Sequence, residues 1–253
     1  MNEIKVIYED DDILIIDKPS GTIVNKADTT KGEFTVQDWL EERFKIKDSR
    51  LKIDEDSDFY KRAGIVHRID KETSGILIVA KNKSSFENLQ AQFKERKVEK
   101  TYVALAHGRV EPEEGEIAVP VGRLPWNRKR FGVLAGGKEA LTKYRAISNF
   151  QFLISKNKKE ELTLLELYPK TGRTHQIRVH LKYINHPIFG DELYAGRKTS
   201  RDDRKILQRF FLHAKKISFF HPASSSNAAS QKRVEFESPL PEELQSVLDL
   251  LKR

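Results

Sequence analysis

The chain has 253 residues, enough for one large domain or two small ones with a proper core, and its 38% hydrophobic and 33% charged content describes a generous polar surface. A formal net charge of +8 favours an anionic partner such as nucleic acid, because Lys and Arg neutralising phosphates supply most non-specific affinity. No apolar run approaches the ~20 residues that span a bilayer. The first residues lack an apolar signal core, and with 0 Cys there are no disulfides, thiol nucleophile or cysteine metal site, so a cytoplasmic protein is expected.

Residues 6–8 and 13–16 predict two strands around the acidic turn 9–12, and Asp17-Lys18-Pro19-Ser20-Gly21 closes them with Pro and Gly turn geometry. Residues 34–44 predict a helix, since Val36, Leu40 and Phe44 recur at four-residue spacing. Residues 45–61 are charged, weakly patterned and read as a loop. Thr73-Ser74-Gly75 then reads as a turn, and Ile76 to Ala80 as an apolar run suited to an interior strand. Residues 84–96 predict a second helix with Ser84 or Ser85 as cap, and residues 98–110 a strand carrying Tyr102. Further strands are predicted at 141–148, 150–155 and 162–168, the last two a hairpin around the polar turn 156–160. Ile177, Leu181 and Ile184 mark a helix after Gly172. Strands at 215–220 and 233–236 bracket a Ser/Ala/Asn-rich loop at 223–230. A terminal helix follows, with Leu244, Val247, Leu248 and Leu251 as its buried stripe.

Strands mostly follow strands, with helices inserted singly, so the expected class is α+β with a mixed, largely antiparallel central sheet flanked by helices. No repeat or linker divides the chain, and residues 1–253 read as one domain.

Two stretches carry candidate chemistry. Between residues 121 and 145, Arg123, Arg128, Lys129, Arg130, Lys138, Lys143 and Arg145 meet a single anion, Glu139, with Trp126 and Phe131 among them. Cations interleaved with aromatics can hold a phosphate backbone and stack on unpaired bases, although a solvated surface loop has the same composition. Earlier, Asp70 stands between Arg68 and Lys71, and neighbouring positive charge favours its ionised form. The local pattern leaves open a reactive carboxylate or a salt-bridged turn residue.

A second segment shifts the balance toward the reactive carboxylate. His67-Arg68-Ile69-Asp70, followed by Thr73-Ser74-Gly75, is joined by Gly172-Arg173-Thr174-His175-Gln176-Ile177-Arg178-Val179-His180 and by His186-Pro187-Ile188-Phe189-Gly190-Asp191. Together they resemble the RluA family of RNA pseudouridine synthases, with Lys100-Thr101-Tyr102 and Leu212-His213-Ala214 similar to two further family elements. Ile69 replaces the usual Leu. Lys18-Pro19-Ser20-Gly21 is similar to the family's entry element, whose following His is not evident; Asn25 has no assigned role.

The resemblance implies a single catalytic domain with a cleft between two sheet-based halves, no cofactor and no metal; because the pattern begins almost at Met1, no N-terminal S4 domain is expected. It implies a monomer acting on structured ribosomal or transfer RNA. Asp70 is then the catalytic carboxylate, Arg173 its ion-pair partner, and Tyr102 the ring that stacks on uracil and relays a proton. Leu212 becomes a pocket wall, and Arg68 fills the gap left by the flipped base. Arg123, Arg128, Lys129 and Arg130 are the candidate substrate-binding cations, with residues 197–205 a second recognition loop. Considered singly, Tyr102 and Leu212 also read as core residues, and Arg173 as a surface residue. His175 and His180, like His213 and His221, lack the i, i+4 spacing of a helical metal site. The alternative is a catalytically inactive RNA-binding or RNA-chaperone protein of the same fold, against which the intact Asp70, Tyr102 and Arg173 set argues.

Overall fold

Two apolar runs without polar alternation pair with each other, as strands covered on both faces do. β2 (Ile13–Lys18) lies antiparallel to β3 (Ser74–Ala80), with Ile15 opposite Ile78, and β1 (Lys5–Glu9) pairs with the other side of β2. The computed structural model describes residues 3–44, 57–155, 158–222 and 232–252. Within them the chain forms two units, Met1–Val98 with Lys216–Ser238, and Glu99–Lys215 with Pro239–Arg253.

In the first unit the strand order is β1, β2, β3 and β10 (Leu212–Phe220, of which the residues from Lys216 on belong to this unit), with β11 (Arg233–Glu237) antiparallel to β10. Its core joins Ile13, Ile15, Ile76, Ile78, Ile217 and Phe219 to Phe86 and Leu89 of helix α3 (Lys83–Lys94). Helix α1 (Val36–Arg43) starts at Thr35, whose hydroxyl accepts the Asp38 N–H while the Asp38 carboxylate accepts the Thr35 N–H. That reciprocal pair satisfies two amides at the helix start. A short helix, α2 (Asp58–Lys61), precedes β3.

In the second unit the strand order is β4 (Glu99–His107), β9 (Lys158–Pro169), β8 (Leu141–Ser155) and β5 (Glu114–Ala118). The pairs β4–β9, β8–β9 and β5–β8 are antiparallel. A separate hairpin joins β6 (Val121–Arg123) to β7 (Phe131–Val133). Helix α4 (Gln176–Tyr183) packs on β7 and β8, and the terminal helix α6 (Glu242–Leu251) on β8. Leu244, Val247, Leu248 and Leu251 are its buried residues, as their spacing predicts. The architecture is α+β with a largely antiparallel sheet. Among the described residues no helix is long and apolar enough to cross a membrane.

Several boundaries differ from expectation for physical reasons. The turn before β3 sits at Asp70–Thr73, where the Thr73 N–H bonds the Asp70 carbonyl, and Ser74 and Gly75 already belong to the strand. Asn82 caps α3, its Oδ1 accepting the Ser85 N–H, because the helix starts before Ser84. The predicted strands 141–148 and 150–155 are one strand, β8, which absorbs the irregularity as a bulge between Ala146 and Ser148. Residues 121–133, read as loop, form the β6–β7 hairpin, and Arg197–Asp203 is a helix, α5. Of the expected loop 45–61, residues 58–61 form α2, and of the expected turn 156–160, residues 158–160 already belong to β9 (Lys158–Pro169); residues 45–56, 156–157 and the expected loop 223–230 lie outside the described residues.

Candidate active site

In the first unit, the segment leading to Asp70 is fixed from both sides. The His67 ring stacks on Phe93 at 4.8 Å, and its Nε2 accepts the Ile78 N–H at 2.9 Å. Ile69 is buried, Arg68 exposed and Asp70 half-buried. The carbonyls just after Asp70 are gathered by residues 18–21. Lys18 has no exposed surface, and its ammonium donates to the carbonyls of Pro19, Thr22 and Lys71 at 2.8, 2.9 and 3.0 Å. The Gly21 N–H also donates to the Lys71 carbonyl, and the Ser20 hydroxyl to that of Glu72. A buried cation is tolerated only when its protons are all engaged. Lys18 therefore acts as the internal post of the Asp70 turn. Sequence reasoning took residues 18–21 as strand-closing turn chemistry and missed this role; a Lys one residue before Pro at the end of an apolar strand was the available signal.

The second unit holds Tyr102, Arg173 and Leu212. Tyr102 is buried on β4 opposite Leu167. Leu212 is buried at the start of β10, where its carbonyl accepts from Arg209. Arg173 lies in the turn before α4 and is built on Gln176. The Gln176 Oε1 accepts the Arg173 N–H at 3.0 Å and the Thr171 hydroxyl at 2.6 Å, while Nε2 donates to Leu141 O and Thr142 Oγ1. The Arg173 Nε donates to the Glu139 carbonyl at 3.0 Å. One carboxamide thus anchors the turn to the start of β8, and Thr171 and Gln176 hold Arg173 in place.

Lys100, two residues before Tyr102, also faces this turn, since a Cβ added at Gly172 would lie 4.0 Å from its ammonium. Burial and the nearby Lys170 charge push its amine down to about 8. It carries positive charge at neutral pH, with its proton more easily lost than usual.

Much of the remaining pattern holds the scaffold. Arg178 and Asp191 form a buried, two-pronged ion pair at 2.7 and 2.9 Å, and Asp191 also accepts the N–H groups of Leu193 and Tyr194. Gly190, at φ +79°, must be glycine because a Cβ there would sit 2.3 Å from the Arg209 carbonyl. His180 bonds Thr142 and the Val119 carbonyl, and His221 bonds Asp10.

The hairpin sorts its cations. Trp126 stands at the tip, 76% exposed, with Arg128 and Lys129 exposed beside it. Arg123 folds back, donating to the Arg128 carbonyl and covering the Phe131 ring at 4.9 Å. Arg130 lies over the Tyr194 ring at 5.4 Å. Phe131 is half-buried and edge-on to His175 at 5.4 Å, so of the two hairpin aromatics Trp126 is the more exposed.

Residues 12–183 match the family model described as RNA pseudouridylate synthase. The chain is 40% identical over 223 residues to an uncharacterised RNA pseudouridine synthase of Aquifex aeolicus, covering 87% of this chain and 66% of that protein. An uncharacterised RNA pseudouridine synthase of Bacillus subtilis is 35% identical over 251 residues, covering 99% and 74%. Ribosomal large subunit pseudouridine synthase D of Borreliella burgdorferi is 42% identical over 193 residues, covering 76% and 55%. The chain thus spans between 55% and 74% of the length of these curated relatives. Among solved structures, human RNA pseudouridylate synthase domain containing 1 superposes with a TM-score of 0.68 at 25% identity, covering 99% of this chain and 95% of that one.

Proposed function

This chain belongs to the RNA pseudouridylate synthase family, and we propose that it isomerises uridine to pseudouridine in structured RNA, ribosomal or transfer. The observation that carries the reading is that the family match, residues 12–183, runs through Asp70, Tyr102 and Arg173 together. The reaction breaks the bond from uracil N1 to ribose C1′, turns the base, and rejoins it through C5, with no net redox change. Asp70 supplies the carboxylate that acts at the ribose while uracil is detached. Arg173, in its Gln176-anchored turn, pairs with that carboxylate and keeps it ionised and oriented. Tyr102 stacks on the detached base and relays the C5 proton. Leu212 forms an apolar wall, and Arg68 occupies the place of the flipped nucleotide. The whole of residues 1–253 serves as one catalytic domain. Chemical tagging of pseudouridine in RNA from cells with and without the gene tests this: specific uridines lose the modification in the deletion strain. An unchanged modification map contradicts the reading.

The hairpin provides RNA affinity through Arg128 and Lys129, with Trp126 as a stacking platform, while Arg123 and Arg130 brace it from behind. Replacing Arg128 and Lys129 with Ala removes two phosphate contacts and flattens the log–log salt dependence of single-stranded RNA binding by about 1.4, at ~0.7 per contact. A filter-binding salt titration with equal slopes for both proteins makes the hairpin tip ordinary surface.

A further inference from the structure

Tyr194 joins two parts of the second unit that the proposed reaction uses separately. The side chain is 3% exposed. Its hydroxyl accepts the N–H of Phe131 on β7 at 3.0 Å and shares a 2.9 Å hydrogen bond with Nδ1 of His175. A neutral imidazole with its proton on Nε2 lets the hydroxyl donate to Nδ1 while accepting from Phe131. His175 stands two residues after Arg173 and caps α4 at φ +55°, a left-handed conformation that a side chain other than glycine adopts at a cost. The strain is held where the Tyr194 hydroxyl reaches it.

The surroundings of the ring point the same way. Arg178, fixed by Asp191, covers it at 5.0 Å, and Arg130 of the hairpin lies over it at 5.4 Å. The Arg130 Nε is buried and has no hydrogen-bond partner among the described residues, so its guanidinium sits over the Tyr194 ring with one donor unsatisfied. Val121 and Tyr194 share a core cluster with Val179 of α4, against which Phe131, Val133 and Leu193 pack.

We propose that the Tyr194 hydroxyl is a positioning group that couples the seating of the β6–β7 hairpin to the left-handed turn after Arg173, so that RNA held on the hairpin sets Arg173 for turnover. The catalytic half of this proposal rests on the synthase reading; the coupling itself does not.

Tyr194→Phe tests it, keeping the ring and its two guanidinium contacts while removing the hydroxyl. Amide hydrogen exchange is measured on wild type and variant, free and with an RNA stem-loop. In the free variant the Phe131 amide and those of residues 173–176 exchange about tenfold faster or more, while β2 and β3 amides are unchanged and report an intact fold. The stem-loop protects residues 173–176 in wild type and not in the variant. At saturating RNA the single-turnover rate falls about five- to tenfold, with KM changed less than about threefold. The rate loss is smaller when Arg128 and Lys129 are already Ala, as expected for coupled sites. His175→Asn, which tolerates the left-handed backbone but has a shorter side chain, reproduces the exchange pattern. Unchanged exchange at residues 173–176, or rate losses that multiply independently, overturns the proposal. A wild-type protein inactive on every RNA, with exchange altered as described, overturns the synthase reading and leaves the coupling standing.

Discussion

Asp70→Asn abolishes pseudouridine formation, lowering the rate by roughly four powers of ten or more, as loss of an essential nucleophile or base does. An amide is neutral and supplies neither an anionic oxygen at the ribose nor a proton acceptor. The fold and RNA affinity stay near wild type for a structural reason. The turn is built on backbone oxygens, with Thr73 bonding the Asp70 carbonyl, Lys18 and Gly21 that of Lys71, and Ser20 that of Glu72. The cations proposed to bind RNA, Arg128 and Lys129, lie on a hairpin of the other unit. Quantified pseudouridine in treated transcript, with melting and binding measured in parallel, checks this. A residual rate above about a hundredth of wild type contradicts the assignment of Asp70.

The largest stability effect is expected at His107. This ring, 6% exposed on β4, bonds Glu160 through Nδ1 at 2.8 Å and Asp203 of α5 through Nε2 at 2.9 Å. Burial works against its charge, but the bonds to Asp203 and Glu160 overcome burial and push the imidazole up to about 9. The protonated ring therefore ties β4, β9 and α5 together at neutral pH. His107→Leu leaves Asp203, 2% exposed, without its cation and costs about 3–5 kcal/mol, the usual result of removing one member of a buried ion pair. The native ring binds its proton more tightly than the unfolded one, so its contribution is full below about 6.5 and is lost as pH rises through about 9. Urea unfolding of wild type and variant near pH 6 and again near pH 10 is the measurement, and the gap shrinks at the higher pH. An equal gap at both values contradicts a charged His107.

How far the sequence disclosed this molecule depends on the range of the interactions. The β2 and β3 runs, α3 and the stripe of α6 were legible because periodicity and apolar runs are local signals. The acidic, aromatic and basic residues of the candidate site stand out only as part of a spaced pattern, since Tyr102 and Leu212 are buried like any core residue. What stayed hidden depends on distant partners. Lys18 looks like a surface cation until the Lys71 carbonyl, far along the chain, is seen to receive its proton. Gln176 looks polar and helical until it reaches back to Thr171 and across to Leu141. Phe131 and Arg130 looked like exposed neighbours of Trp126 until the folded hairpin was seen to set them against His175 and Tyr194.

The central claim is that the protein makes pseudouridine with Asp70, and tritium release from RNA tritiated at uracil C5 tests it most directly, because joining C5 to the ribose expels the hydrogen there. RNA extracted from a deletion strain offers every unmodified site at once. Purified wild-type protein is expected to release tritium in the presence of EDTA, up to a plateau set by a few uridines, while Asp70→Asn releases none. No release by wild-type protein that binds the same RNA, or equal release by both proteins, contradicts the account.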